Sequence, residues 1–413
     1  MHSLVIDRFS SYDARFALGP GEGSDAVHSS PQYSFAVTRL HSARGLTGTG
    51  LTLTLGAGND VVCRVIDLLA PQIVGRDIEE LMAGFAVTFR AIADHHQLRW
   101  LGPHKGPVHL ALASIANACF DFWAKVRGVP LWRLLLELEP RQLLALLDLS
   151  YLEDVLTETD ALEILQSHRP NRASREQILK TGYPGYDTSV GWFHYNDEEI
   201  REKARRSLEQ GFRAFKLKVG APDSNHDFRR ARALRDFLGA EACIMLDANQ
   251  QWTLPQATRV CRELACISPY WIEEPTHPDD VLAHQILARE IAPIPLAVGE
   301  HIPNRVVFKN YLQTGSAGFV QVDCTRVGGV SEFLTVSLLA RKFGVPVVPH
   351  VGDMGQIHQH LVLFNHVAIG HPVVFLEHIP HLRQWFVYPA QVREGVYETP
   401  QETGSSSDLT ERC

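Results

Sequence analysis

Between Gly182 and Glu377, short apolar runs alternate with longer stretches whose apolar residues recur at helical spacing. The runs cover residues 186–190, 212–219, 243–247, 271–273, 296–300, 319–323, 345–350 and 373–377. Strands buried on both faces read as near-continuous apolar runs, and the helices packed over them read as amphipathic segments. Residues 198–210, stopped by Gly211, are such a helix. Eight strand–helix alternations predict a parallel α/β barrel over 182–379.

The chain before the barrel has another rhythm. Residues 5–9, 35–40 and 50–55 are short alternating or β-rich segments, and Thr47-Gly48-Thr49-Gly50 is expected as a turn. Helical spacing dominates 61–140, with a break at Gly128-Val129-Pro130. Residues 1–150 therefore predict an α+β domain. A polar helical insertion follows over 151–181, where Thr157-Glu158-Thr159-Asp160 caps a helix running through Leu165 and 169–172 form a turn. The tail, 380–413, lacks the repeat and is expected to pack on the first domain, with a frayed end after Gly404-Ser405-Ser406-Ser407. Gly19-Pro20-Gly21-Glu22-Gly23 mimics a dinucleotide-binding loop, but no strand and helix flank it as that motif requires.

Composition narrows the class. A chain of 413 residues suits two domains, and 45% hydrophobic with 21% charged residues is ordinary for a globular enzyme. A net charge of −8 without a basic tract argues against nucleic acid as a partner. No apolar run is long enough to cross a bilayer, and the first residues lack a signal peptide's charged and apolar regions. Seven cysteines without a C-x-x-C pair read as free thiols of a cytoplasmic protein.

The barrel runs also carry the chemistry. Behind the pair Lys216 and Lys218, one polar group closes each later run: Asp247, Glu273, Glu300, Asp323, His350 and Glu377. In a barrel, such groups meet at the C-terminal mouth. Asp247, Glu273 and Glu300 come from successive strands, so three carboxylates converge and repel unless a cation joins them. Hard oxygen ligands without Cys or His favour Mg²⁺. Lys216 and Lys218, two apart on a strand, share a face. Mutual repulsion and burial are expected to lower their pKa values and make one a base near neutral pH. Asp323 beside His350 would orient the imidazole and favour its cation. His358 and His360 are placed on the following helix and given no ligand role.

Lys-X-Lys, Asp247-Ala248-Asn249-Gln250, Trp271-Ile272-Glu273-Glu274-Pro275 and Asp…His in this order, with Asp121-Phe122-Trp123-Ala124-Lys125 and Gln97-Leu98-Arg99-Trp100 upstream, resemble the enolase superfamily, mandelate racemase-like subgroup. Within it the insertion and the stretch Ser24-Asp25-Ala26-Val27-His28 with Tyr33 are similar to the L-fuconate dehydratase branch. The resemblance implies a modified (β/α)₇β TIM-type barrel with an N-terminal α+β capping domain completed by the tail, commonly as a homo-oligomer. It implies Mg²⁺ on Asp247, Glu273 and Glu300 and a sugar acid as substrate. Lys218 would take the proton α to the carboxylate, with Lys216 on a carboxylate oxygen. His350, oriented by Asp323, would assist loss of the C3 hydroxyl to give a 2-keto-3-deoxy acid. A Lys or His base beside Mg²⁺ is general to that superfamily. Glu377 and Asn249 would contact substrate, and Ser24, Asp25 and Tyr33 would close over its hydroxyls.

Three positions depart from that branch: Gln251 stands where it carries Arg, His301 where it carries Gln, and Val351-Gly352-Asp353-Met354 replaces Ala-Gly-Gly. They are expected on the pocket wall, where they bear on substrate choice more than on reaction type. Galactonate or another aldonate or aldarate stays open as substrate. So do a racemase or epimerase using Lys218 and His350 as two bases, and a non-catalytic binding protein.

Overall fold

A computed structural model of the chain describes residues 4–410. The first part holds a three-stranded antiparallel sheet, β1 (Arg8–Arg15), β2 (Ser34–His41) and β3 (Thr47–Thr54), packed against the helix Gly106–Arg127. Strand β1 starts later and runs longer than the 5–9 segment. The turn expected at 47–50 is instead the first half of β3, and the chain reverses earlier, where Gly45 takes φ 82°. The glycines serve helix packing: a Cβ on Gly50 would lie 1.9 Å from Ser114 O, and one on Gly48 2.4 Å from Phe122 Cβ. The insertion behaves as its cap pattern predicts, with Thr157 and Asp160 closing a capping box on the helix Glu158–Ser167.

The barrel strands are β4 (Tyr183–Gly191), β5 (Ala214–Lys218), β6 (Cys243–Asp247), β7 (Trp271–Glu273), β8 (Leu296–Val298) and β9 (Phe319–Val320), paired in parallel in chain order. Strand β10 (Leu376–His378) returns to pair with β4. The seventh position is only a bridge, Val320 to Val347, because Pro346 and Pro349 on either side offer no N–H. Inward residues Tyr186, Ala214, Met245, Trp271, Ala297 and Val348 form an apolar layer inside the barrel. The alternating Phe215, Leu217, Ile244, Leu246 and Ile272 join a larger outer core. The interior is thus plugged, and the next inward residue on each strand stands at the C-terminal mouth.

Polar joints fasten the first part to the barrel. Asn117, on the helix Gly106–Arg127, donates to Cys324 O at 3.0 Å and accepts from Val330 N at 3.0 Å. Leu53 N in β3 donates to Thr325 O at 3.3 Å. Buried Arg305 bonds Asp148 at 2.6 Å and Glu332 at 3.1 Å.

The tail touches both parts. A hairpin of β11 (Val392–Arg393) and β12 (Val396–Tyr397) lies antiparallel on β4. Beyond it, Ser405 N donates to Asp121 at 2.7 Å, and Asp408 accepts from Thr49 at 2.6 Å and Lys125 at 2.6 Å. Residues 404–407 are buried, and Ser405 completes the hydrogen bonds of fully buried Asp121. The last part of the expected frayed end, 411–413, and the first three residues of the segment read for a signal peptide lie outside the described residues. Among the described residues, six cysteines are free thiols and no helix is long and apolar enough to cross a membrane.

Candidate active site

Register sets the mouth. Lys218 pairs directly with Asp247 across β5 and β6, and Asp247 with Glu273 across β6 and β7. Lys218 Nζ donates to Asp247 Oδ2 at 2.5 Å. Lys216, 1% exposed, lies 2.8 Å from Glu273 Oε1, 2.6 Å from Glu377 Oε1 and 3.5 Å from Asp247 Oδ2. Three carboxylates, Asp247, Glu273 and Glu377, therefore crowd two ammonium groups.

That crowding corrects the expected lysine pKa values. Burial pulls both down, but Asp247 acting on Lys218 and Glu273 with Glu377 acting on Lys216 outweigh it, and both are raised. Mutual lysine repulsion is the weaker effect. Burial would raise Asp247, yet the two lysines hold it below the usual carboxylate range. Burial and neighbouring Asp247 push Glu273 up to about 8, since the Lys216 ammonium beside it is shared among three acids. Burial and Glu274 raise Glu300. Asp247, Glu273 and Glu300, all buried, offer oxygens within 4.8 Å of one another. Asn249 Oδ1 is buried without a partner and its residue lines the same cavity. Surplus negative charge on hard oxygen ligands fits a divalent cation of the Mg²⁺ type.

Across the mouth, His350 Nδ1 lies 2.9 Å from Asp323 Oδ2 and its Nε2 3.3 Å from Glu300 Oε2. Thr325 fixes the other Asp323 oxygen with N and Oγ1, both at 2.7 Å. Burial alone would lower the His350 pKa, but Glu300 and then Asp323 push it up to about 9. Burial would raise Asp323, whereas His350 and His358 hold it far below the carboxylate range. His358 accepts from Cys324 N at 2.9 Å, while His360 faces Trp132 N at 3.3 Å and Ser406 at 3.2 Å. The two sit on the helix Ile357–Phe364 and serve separate packing bonds.

Glu377 is engaged on both oxygens. Thr188 Oγ1 donates to Oε1 at 2.6 Å beside Lys216, and Val351 N donates to Oε2 at 2.7 Å. It thus orients Lys216 as well as lining the cavity. Val351 is held at φ 55°, an outlier for a β-branched residue, and Asn249, Gln250 and Glu274 also take positive φ. Such conformations cluster where a site is over-determined by its surroundings.

Residues of both the cap and the barrel line one cavity at the mouth. Asp25 and Tyr33 line it from the cap, as do Lys216, Lys218, Asn249 and Glu377 from the barrel. Ser24 does not. It is fully buried, with its hydroxyl donating to Gly21 O at 2.7 Å and accepting from His194 N at 3.1 Å, so it pins the loop to the barrel instead of facing substrate. Gln251 is exposed and off the lining, and its neighbour Gln250 takes the wall position. His301 and Val351 do line the wall. His301 Nδ1 lies 3.0 Å from Glu274 and 2.8 Å from Gln250 Nε2. Among the wall residues that the sequence reading gave no role are His28, Thr188, Trp192 and Arg326. His28 stands three residues after Asp25 and 3.0 Å from it, a local pattern that was legible. Arg326 carried no signal of its own.

Comparison with known proteins assigns the chain to a family. Residues 23–135 match the mandelate racemase / muconate lactonizing enzyme N-terminal domain, and 199–413 match the enolase C-terminal domain-like family. The chain is 42% identical to mitochondrial enolase superfamily member 1 of Bos taurus, covering 98% of this chain and 94% of that one. It is 37% identical to the L-galactonate dehydratase of Hypocrea jecorina, covering 99% and 93%. The crystal structure of human mitochondrial enolase superfamily member 1 superposes with TM-score 0.96 at 40% identity, covering 99% and 95%. That of L-talarate/galactarate dehydratase from Salmonella typhimurium LT2, liganded with Mg and L-lyxarohydroxamate, gives TM-score 0.78 at 25% identity, covering 99% and 91%. These relatives support the superfamily and include sugar-acid dehydratases, a coarser likeness than the fuconate-type branch.

Proposed function

Since the chain belongs to the enolase superfamily, with a capping domain on an α/β barrel, we propose that it is a Mg²⁺-dependent sugar-acid dehydratase. The observation that carries the proposal is one cavity lined by Lys218 and by His350 from opposite sides of a three-carboxylate cluster. Asp247, Glu273 and Glu300 would hold the metal, with Asn249 Oδ1 in reach of its water or of substrate. Bound Mg²⁺ supplies fixed positive charge beside the substrate carboxylate.

The chain's own groups do the rest. Lys216 holds a carboxylate oxygen, kept in place by Glu377. Lys218 Nζ would accept the proton from C2, its partner Asp247 being one of the residues that would hold the metal. The electron pair then forms the C2–C3 double bond as the C3–O bond breaks. His350 Nε2 gives its proton to the departing hydroxyl, which leaves as water, and the enol tautomerises to a 2-keto-3-deoxy acid. Asp323 keeps the imidazole oriented for that transfer.

We infer L-fuconate ahead of L-galactonate as substrate. L-Fuconate is the 6-deoxy form of L-galactonate, so both show the same hydroxyl stereochemistry from C2 to C5. With the carboxylate at the barrel mouth, C6 points to the cap, where Val27, Pro31, Leu53 and Leu55 form an apolar wall suited to a methyl group. A single methyl in such a wall is worth about tenfold or more in kcat/KM. Incubation of the Mg²⁺-loaded protein with a panel of sugar acids should yield 2-keto-3-deoxy product, fastest from L-fuconate. Absence of keto product from every acid would sink the dehydratase reading, and faster L-galactonate turnover would reverse the substrate order. A racemase or epimerase reading is favoured by the same two opposed groups. It predicts solvent deuterium at C2 without keto acid. A homo-oligomer in a reducing cytoplasm belongs to the same reading, and light scattering tests the assembly.

A further inference from the structure

On the outer side of β4 and β10, away from the mouth, a second cavity of about 370 Å³ opens between the barrel, the helix Asp197–Glu209 and the turn Pro380–Trp385. Its floor is His378, whose side chain is 10% exposed and whose ring stacks on Phe212 with centroids 4.9 Å apart. Nδ1 of His378 is taken by Asp353 at 3.2 Å and Tyr397 OH at 3.3 Å. That leaves Nε2 as the ring atom free for a ligand in the cavity. Lys203 and Arg383 stand on the walls. Neither has a carboxylate partner among the described residues: Lys203 Nζ lies 4.6 Å over the Tyr195 ring, and Arg383 donates to Gln391 Oε1 at 3.0 Å. The one acid lining the cavity, Asp187, is already filled, accepting from Ser189 N at 2.8 Å, Ser189 Oγ at 2.7 Å and Ser207 Oγ at 2.7 Å.

We propose that this cavity is a binding site for a tetrahedral oxyanion of the phosphate class, held by His378 Nε2, the Lys203 ammonium and the Arg383 guanidinium. Groups from three different elements line one cavity, and of the three only His378 has a carboxylate partner, Asp353. Charge-assisted bonds to an oxyanion are the strong kind. The site is independent of the reaction proposed above. Its floor residue follows Glu377 directly, and Asp353, which grips His378, lies three residues after His350 and accepts from Ile379 N at 2.6 Å.

Sulfate, whose charge is constant over the neutral range, is the probe. Calorimetric titration of the whole chain in EDTA should show one saturable sulfate per chain in the millimolar range. Lys203→Gln and Arg383→Gln should each weaken it about tenfold, with Mg²⁺ binding and the unfolding midpoint in sulfate-free buffer unchanged. Lys218→Ala should leave sulfate affinity as it was. Affinity should fall as pH rises, because His378 loses its proton. Burial would lower its pKa, but Asp353, with Asp187 beyond it, raises it above the ordinary 6.5 against the opposing charge of Arg383. Tyr397, the other partner, stays neutral there, since burial raises its pKa. Wild-type protein that binds no sulfate, affinity that ignores both surface substitutions, loss of binding in Lys218→Ala, or a flat pH profile would each overturn the site.

Discussion

Lys218 shows how far a side chain's chemistry depends on neighbours that sequence does not reveal. Spacing two lysines on one strand led to an expectation of mutual pKa depression. The structure adds Glu377 from the last strand and sets Asp247 in register with Lys218, so attraction exceeds repulsion. Strand order made the identity of the acids legible, whereas the balance of charge needed their distances. In the proposed reaction the lysine would become a competent base when Asp247 is drawn to a cation, and this gives a clean test. Lys218→Ala should lower turnover about a thousandfold or more while Mg²⁺ affinity, measured by calorimetry, is kept. Near-normal activity would remove Lys218 from the mechanism. His350 gives a second test. Its acid form exists below a pKa of about 9, so activity should be retained at neutral pH and fall as pH rises through that value. Asp323→Asn removes one of the three carboxylates that raise the pKa and should move the alkaline limb of the kcat/KM profile to lower pH. A limb that stays put would mean His350 is not the titrating acid. Ser24 was misplaced for a local reason: its hydroxyl satisfies backbone groups on both sides of the loop, which only the folded loop shows.

At the scale of elements, the barrel was readable because its strands are buried on both faces and the helices between them on one. The seventh strand shrank to a bridge, as its two prolines require. The first sheet was harder to read. Gly48 and Gly50 look like turn residues, yet they lie in β3 because the helix Gly106–Arg127 comes within backbone contact, a long-range fact with no local signature. Gly50→Ala would set a methyl 1.9 Å from Ser114 O. Urea unfolding should show a loss of about 3 kcal/mol, the upper end for overpacking. A loss under about 1 kcal/mol would show that strand and helix can move apart.

At the scale of the molecule, the tail acts as a clasp on the cap. Asp121 is fully buried and depends on Thr49, Lys125 and Ser405, and Asp408 ties Thr49 and Lys125 to the tail. Asp408→Ala should cost about 1–2 kcal/mol in unfolding free energy. It should also raise KM more than it lowers kcat, because the cap helps shape the pocket but supplies neither Lys218 nor His350. An effect on kcat alone would contradict a positioning role. The Asn117 joint has a different consequence, for how such proteins can diversify. The amide that holds the cap reads the backbone of residues 324–330, directly after Asp323. Cap and barrel are therefore not interchangeable parts. A cap grafted from a relative would bring its own substrate preference but would dock only where the recipient's loop presents the same carbonyl and amide. Natural or laboratory recombination in this lineage should succeed most often when both segments are inherited together.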